Sequence, residues 1–112
     1  MPLSPIQDEF AAVVGWFEDE RLYSHDGDVI GWLHGDAVYT LRGKHVGWLE
    51  RGQYCDARGR IVAIKTVAAG GTGAYGGPSA GPTPRKPPFT ERTRRPDSYG
   101  PWGKKTWSSW LR

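Results

Sequence analysis

The chain has little sulfur and no long apolar segment. Its 112 residues include one cysteine, Cys55, and one methionine. A single cysteine excludes an internal disulfide framework and a thiolate metal cluster. No apolar run reaches the length of a membrane span, and residues 1–9 are polar and acidic rather than signal-like. We therefore expect a cytoplasmic protein that makes no contact with a membrane.

The sequence also lacks a recognisable catalytic or metal-binding arrangement. Its three histidines lie in or beside predicted turns, and none has the spacing that brings two onto one metal ion. Residues 71–76 spell G-x-G-x-x-G, but the prolines that follow exclude the helix that a dinucleotide site requires. Residues 62–65 spell the kinase lysine motif in a chain too short for that fold. We expect no enzymatic activity, catalytic residue, metal or cofactor.

Charge is divided unevenly between the two parts of the chain. Residues 1–84 carry seven basic and ten acidic side chains, a net charge of −3. Residues 85–112 carry eight basic and two acidic side chains, a net charge of +6. Opposite charges of this kind draw the two parts together, or draw the tail to an acidic partner.

A sixteen-residue repeat organises the front half of the chain. A Gly-Trp step occurs three times at this spacing, and a decayed fourth copy follows at residues 62–65. The pairs Leu22-Tyr23, Val38-Tyr39 and Tyr54-Cys55 and a column of turn glycines keep the same period, with the tyrosine of the third unit displaced by one residue. The repeat positions are Gly15, Trp16, Gly31, Trp32, Gly47 and Trp48, then Tyr23, Tyr39 and Tyr54, then Gly27, Gly43 and Gly59. Three columns with one period indicate a repeated structural unit.

Each unit is predicted to form two short strands joined by glycine turns. Apolar and polar residues alternate along the runs, and the Asp-Gly pair in the first unit is typical of a type I′ hairpin. The predicted fold is all-β, an antiparallel meander of about seven strands over residues 14–66. A glycine in mid-strand requires a packing reason. We expect the rings of Tyr23 and Tyr39 to lie across Gly31 and Gly47.

Strands this short bury little apolar surface, so the repeat needs a further cover. Ser4-Pro5 followed by acidic residues predicts a short helix from Pro5 to about Val13. The predicted divisions are an N-terminal segment at 1–13, a β-repeat domain at 14–67, a linker rich in glycine, proline and arginine at 68–101, and a tryptophan-rich docking segment at 102–112.

The end of the chain is far more apolar than a solvated tail. Tryptophan is typical of anchors that fill pockets, and four residues are predicted to dock on the chain's own sheet or on another chain: Trp102, Trp107, Trp110 and Leu111. The preceding segment is predicted to be extended and polyproline-like. Its cations, with those beside the tryptophans, are candidate contacts for single-stranded nucleic acid: Arg85, Lys86, Arg92, Arg94, Arg95, Lys104 and Lys105.

Residues 14–64 resemble the bacterial 4-fold beta flower domain family, most clearly at residues 43–50, which read GKHVGWLE. Members of that family carry tandem Y-x-x-x-G-x-x-x-G-W units, a Gly-Gly-Pro step, a Lys/Pro-rich tail and often a terminal Trp-Ser-Ser segment. Residues 76–78 and 107–109 match the second and last features, whereas Ala63 replaces the fourth repeat glycine. The resemblance implies a symmetric β assembly and brings no established activity.

Three functions are compatible with these features. The favoured one is a non-enzymatic scaffold or interaction module that self-associates as a homo-oligomer, with a tetramer among the allowed states. Its basic tail would dock on the β domain or on a partner. The alternative is binding of single-stranded nucleic acid through the basic aromatic tail, and a lesser alternative is glycan binding by exposed tryptophan and tyrosine rings.

Overall fold

Eight short antiparallel strands close into a barrel. The computed structural model describes residues 3–65, 81–96 and 98–112. The strands are β1 (Ser4–Gln7), β2 (Val13–Glu18), β3 (Arg21–Ser24), β4 (Val29–His34), β5 (Ala37–Thr40), β6 (His45–Glu50), β7 (Gln53–Asp56) and β8 (Ile61–Lys65). Each strand pairs with the next along the chain, and β8 also pairs with β1. The predicted all-β antiparallel meander is therefore confirmed, with eight strands instead of about seven and with its two ends joined.

The predicted N-terminal helix is wrong, because the first residues form β1 and a turn. Ile6 lies sixteen residues before Leu22 and, like Leu22, is fully buried. In place of helix capping, the Asp8 carboxylate accepts hydrogen bonds from the backbone N–H groups of Phe10 and Ala12, at 2.9 and 3.0 Å. As a strand, β1 closes the barrel by pairing with both β2 and β8. It thereby completes the fourth unit that β8 begins.

Four equivalent turns mark one end of the barrel, which we call the turn end. They span residues 8–12, 24–28, 40–44 and 56–60, each closed by the same pair of backbone hydrogen bonds. The fourth residue of each turn has positive φ, with 63° at Ala11 and 85–96° at the three turn glycines. The repeat thus includes a first, glycine-free copy that begins before residue 14.

The side chains of the strands form two layers. The inward cluster contains Ile6, Leu22, Val38, Tyr54, Val62 and Ala63, among others. The outward cluster contains Trp16, Trp32 and Trp48 with Tyr23 and Tyr39. In every unit the register shifts by one residue at the same place, for example between Leu22 and Tyr23. This shift lets consecutive apolar residues serve both layers.

Within the described residues there is one short helix, α1 (Trp107–Leu111), near the C-terminal end. Thr106 caps it, since its side chain accepts a hydrogen bond from the Ser109 N–H while the Ser109 hydroxyl accepts one from the Thr106 N–H, both at 3.1 Å. None of the helical structure in the described residues has the length and apolar character needed to span a bilayer. Residues 68–80, which include the G-x-G-x-x-G stretch and the Gly-Gly-Pro step, lie outside the described residues.

Candidate functional site

Helix α1 fills the inside of the barrel at the turn end. Trp107, Trp110 and Leu111 are at most 5% exposed and belong to the inward cluster. The Trp107 indole N–H donates to the carbonyl of Tyr23 at 3.0 Å, and that of Trp110 donates to the carbonyl of Val46 at 3.2 Å. Both polar atoms of the indoles are therefore satisfied, and the core of this barrel is completed by its own chain.

Trp102, the fourth residue of the predicted docking segment, has a different place. It is half-buried and forms a parallel bridge with Ile61 at the start of β8. The Ile61 N–H donates to the carbonyl of Pro101 at 3.0 Å, and the Gly103 N–H donates to the carbonyl of Ile61 at 2.8 Å. These bonds fix the chain at the turn end, where it enters the barrel.

The mid-strand glycines make room for α1. A Cβ atom on Gly15 would lie 2.7 Å from Cδ1 of Trp107, and one on Gly47 would lie 2.6 Å from Cζ2 of Trp110. Side chains cannot approach this closely without displacement. The expectation that tyrosine rings cover these glycines is wrong, because Gly31 and Gly47 pair with the inward residues Leu22 and Val38, whereas the tyrosine that follows each of these residues points outward. An added Cβ would also meet a carbonyl oxygen of the neighbouring strand at each of these positions, so the glycines relieve crowding against both α1 and strand backbone.

The third unit departs from the repeat in a way that also serves the helix. Tyr54 occupies the inward position of Leu22 and Val38, and its ring meets that of Trp107 edge-on, with centroids 5.0 Å apart. Burial raises the pKa of the Tyr54 hydroxyl. Cys55 takes the outward position instead, fully buried, and burial raises the pKa of its thiol to about 11. The thiol is therefore protonated at neutral pH.

The repeat tryptophans are buried on the outward layer. Trp16, Trp32 and Trp48 are at most 6% exposed. The indole N–H of Trp16 donates to the carbonyl of His25 at 3.0 Å, and that of Trp32 donates to the carbonyl of Leu41 at 3.1 Å. Since these rings are covered, they offer no platform on which a glycan could stack.

The cover comes from residues 81–96 and 98–101, which we call the belt. The belt passes three successive units and bonds to the turn glycine of each. Three belt N–H groups donate to glycine carbonyls, at 2.8, 2.9 and 2.6 Å: Gly81 to Gly27, Thr90 to Gly43 and Gly100 to Gly59. A Cβ atom on Gly43 or Gly59 would meet belt backbone. The turn column is thus glycine for two reasons, its positive φ and the close approach of the belt.

Belt side chains complete the outward layer. The Phe89 ring stacks on Tyr39, with centroids 4.1 Å apart and planes 13° apart. The Arg95 guanidinium lies 4.2 Å from the centre of the Trp48 ring, a cation–π contact. The Thr93 N–H donates to Nδ1 of His45 at 3.0 Å. His45 is 4% exposed rather than an exposed turn residue, and burial lowers its pKa.

Cations of the belt neutralise the end of the barrel opposite the turn end. Lys86 pairs with Glu20 at 2.8 Å, and Arg95 pairs with both Asp36 and Glu50. Arg92 lies 3.6 Å from Asp36. The hydrogen bond and charge of Lys86 lower the pKa of Glu20. All seven predicted nucleic-acid contacts are exposed, and four of them, Lys86, Arg92, Arg95 and Lys105, form ion pairs with carboxylates of the barrel.

At the turn end, most basic side chains form no ion pair with an acidic side chain of the described residues. Lys105 pairs with Asp56 at 3.2 Å. Six further cations form no ion pair within residues 3–65, 81–96 and 98–112: Arg42, Lys44, Arg58, Arg60, Lys104 and Arg112. One side of the turn end is therefore strongly positive.

Comparison with known proteins agrees with this four-unit architecture. The model of the 4-fold beta flower protein family matches residues 4–111. The chain belongs to this family. No curated protein and no solved structure matches it. The family match includes β1 and α1, so both the closing strand and the helix inside the barrel belong to the beta flower unit.

Among the clefts at the turn end of this beta flower barrel, two are each lined by two arginines. One, of about 560 Å³, is lined by Ile30, Thr40, Leu41, Arg42, Leu111 and Arg112. The other, of about 500 Å³, is lined by Asp56, Arg58, Arg60, Gly103, Lys104 and Lys105. In the part of the chain that the structure describes, no three histidine, cysteine or acidic side chains are grouped as metal ligands. The clefts therefore offer charge and apolar surface rather than a metal centre.

Sequence reasoning missed β1 and the path of the belt, and it left open whether the residues of α1 dock on their own sheet or on another chain. A signal for β1 was present, since Ile6, Asp8 and Ala11 lie sixteen residues before Leu22, Ser24 and Gly27. No short-range pattern links the glycine column of the barrel to the tryptophans of α1, because the contact joins residues as far apart as Gly15 and Trp107. The cation cluster is likewise formed by three separate parts of the chain.

Proposed function

We propose that this beta flower protein is a non-enzymatic interaction module whose turn end binds an acidic protein segment. One observation carries the proposal, the cluster of cations on one side of the turn end. Three belt cations pair with carboxylates at the opposite end of the barrel, while the six clustered turn-end cations have no ion pair among the described residues. A surface with unpaired charge of one sign attracts and orients a partner of the opposite sign.

The barrel is suited to such a role as a scaffold. Each of its eight strands has two neighbours. Helix α1 covers the inward face, where the repeat glycines lie, and the belt covers the outward face, where the repeat tryptophans lie. A rigid frame of this kind holds the turns 40–44 and 56–60 in fixed positions. The homo-oligomer expected from the sequence, with a tetramer among its allowed states, stays a prediction, as does a cytoplasmic location.

Binding to an acidic polypeptide tests the proposal. The probe is poly-L-glutamate, titrated into the full chain at low salt and followed by chemical-shift changes. We expect saturable binding with shifts at residues 42–44, 58–60 and 104–105. Arg58→Glu should weaken binding about fivefold, because it replaces one partly exposed ion pair with the probe by a repulsion between like charges.

Arg85→Glu is the matched control, since Arg85 is an exposed belt cation away from the turn end. It changes net charge by the same amount and should leave the affinity nearly unchanged. Equal weakening by both variants would indicate a response to net charge alone and would contradict a defined face. Absence of binding by the folded wild-type chain would also contradict it.

Binding of single-stranded nucleic acid is a second candidate, favoured by the same unpaired cations. The sequence suggests the tail as the contact surface, but four of its seven candidate cations already pair with barrel carboxylates. An oligothymidylate titration discriminates the two functions. Tighter binding to the oligonucleotide than to polyglutamate, with an affinity that falls linearly with log salt, would favour nucleic acid.

A further inference from the structure

The 560 Å³ cleft exists because a four-fold barrel encloses a helix that has no such symmetry. Two of the three inward glycines face an indole, but Gly31 faces Leu111, whose Cδ2 would lie 3.0 Å from an added Cβ. A leucine occupies less volume than a tryptophan, so space is left beside α1 in this unit. The cleft lies there, between α1 and the turn at residues 40–44.

The size and lining of the cleft match those of small-ligand sites. Such sites enclose about 300–1,000 Å³, with mainly apolar walls and a few polar groups that fix orientation. Here Ile30 and Leu111 form the buried floor, and Leu41, which is 39% exposed, forms part of the rim. The residues that correspond to Leu41 in the other turns are Glu9, His25 and Ala57, so this unit alone has a large apolar side chain at this turn position.

The charged side chains of the cleft have one sign. Arg42 and Arg112 line it, and neither forms an ion pair within the described residues. A guanidinium at the rim of an apolar cleft can hold a carboxylate by charge-assisted hydrogen bonds while an alkyl chain covers the floor. The complementary ligand is therefore amphipathic, with an apolar body and an anionic head.

We propose that this cleft binds a medium-chain alkyl carboxylate, with the alkyl chain against Ile30, Leu41 and Leu111 and the carboxylate on Arg42 and Arg112. Arg42 also belongs to the cation cluster proposed to contact an acidic partner, but the apolar floor and rim of the cleft lie outside the cleft of Arg58 and Lys104, and alkyl binding does not depend on that contact. Transfer of the alkyl chain from water to the apolar floor supplies most of the affinity, and the arginines supply selectivity for an anion.

The repeat provides the experiment with position-matched controls. Sodium decanoate, below its micelle concentration, is titrated into the full chain and followed by calorimetry and by the amide shifts of residues 40–42 and 111. We expect saturable binding of one decanoate per chain. Butyrate, which lacks the apolar body, and decanol, which lacks the charge, should each bind at least about tenfold more weakly.

Arg42→Gln should weaken decanoate binding about fivefold. Arg58→Gln, sixteen residues further on and outside the cleft, should leave it unchanged. Leu41→Glu places a carboxylate at the rim and should abolish binding, whereas Ala57→Glu at the equivalent turn position should not. The melting temperature of each variant verifies that it is folded.

Three results would overturn the site. The first is absence of saturable decanoate binding by the folded wild-type chain. The second is decanol binding as tightly as decanoate, which would mean that the arginines select nothing. The third is that Arg42→Gln and Arg58→Gln weaken decanoate binding equally, and that Leu41→Glu and Ala57→Glu also weaken it equally. None of these results bears on polyglutamate binding, so the two proposals can fail separately.

Discussion

The inward glycines show how one missing side chain determines the position of a distant element. Gly15, Gly31 and Gly47 lie at equivalent points of three units, and each contacts a different side chain of α1. Glycine in a strand costs stability relative to alanine, about 0.5–1 kcal/mol. Here the cost is offset, because two indoles and a leucine replace water in the barrel interior.

The three glycines are not equally sensitive to substitution. We expect Gly15→Ala and Gly47→Ala to lower the free energy of unfolding by about 2–3 kcal/mol, as overpacking against indole and strand backbone does. Gly31→Ala should cost less, about 1 kcal/mol, because the methyl groups of Leu111 can move aside more easily than a ring. Urea denaturation of the three variants measures the difference.

Ala63 supplies the control for this series, since it holds the same position in the fourth unit and already carries a methyl group. Ala63→Gly removes that methyl group without relieving a clash, and it should lower the free energy of unfolding by about 1 kcal/mol. Equal losses at all three glycines would show that backbone crowding alone sets the cost and would contradict a role for α1.

Among the elements, the belt depends most on side-chain chemistry. It forms backbone hydrogen bonds to three turns, but its centre is held by His45, whose Nδ1 accepts the Thr93 N–H. Only an unprotonated Nδ1 can accept this bond. The belt is therefore linked to the protonation of one buried imidazole.

We expect acid to loosen the centre of the belt. The pKa of His45 in the folded chain is lowered from 6.5 by burial. As pH falls, the unfolded chain binds the proton first. The free energy of unfolding is therefore at its full value above the pKa of His45 in the unfolded chain, and it decreases as pH falls toward the pKa of His45 in the folded chain. The slope is at most about 1.4 kcal/mol per pH unit. Urea denaturation and amide exchange at Thr93, between about pH 7.5 and about pH 5.5, measure it.

His45→Asn retains an acceptor without a titrating group and should remove this slope. His25→Asn, at an exposed turn position, should leave the slope intact. If the wild-type chain and His45→Asn lose stability in parallel over this range, the imidazole does not control the belt.

The strands were more predictable from the sequence than the elements that pack against them, α1 and the belt. The sixteen-residue spacing of Trp16, Trp32 and Trp48 predicted the hairpins, because alternation and turn chemistry act over a few residues. The same local view misread Ser4-Pro5, whose capping preference is real but weaker than the gain from pairing β1 with two strands. Neither the inward direction of Gly31 nor the route of the belt follows from local pattern, since a one-residue register shift reverses the faces.

On the scale of the whole molecule, the barrel, belt and helix form one cooperative unit. The inward cluster joins residues of most strands with all three apolar residues of α1. The outward cluster includes Phe89 from the belt. Loss of the last third of the chain would therefore uncover both layers at once.

A chain that ends at Pro84 tests this dependence. We expect a lower melting temperature and self-association through the uncovered barrel interior, measured by light scattering at several concentrations. In the full chain, Trp110→Ala should cost about 3–5 kcal/mol through the cavity it leaves. Ser108→Ala, on the exposed side of α1, should cost little. A shortened chain that stays monomeric with an unchanged melting temperature would contradict the cooperative unit.

The alanine at position 63 has a consequence for the uniqueness of the native state. A barrel of four equal units would offer a helix four equivalent rotational settings, and such degeneracy yields several folded forms of similar energy. One methyl group makes the fourth quadrant different from the other three, because an indole that fits over Gly15 or Gly47 would collide with it. Together with the bridge between Ile61 and Trp102, it leaves one setting lower in energy than the rest. A small break in symmetry thus gives a repetitive sequence a single structure.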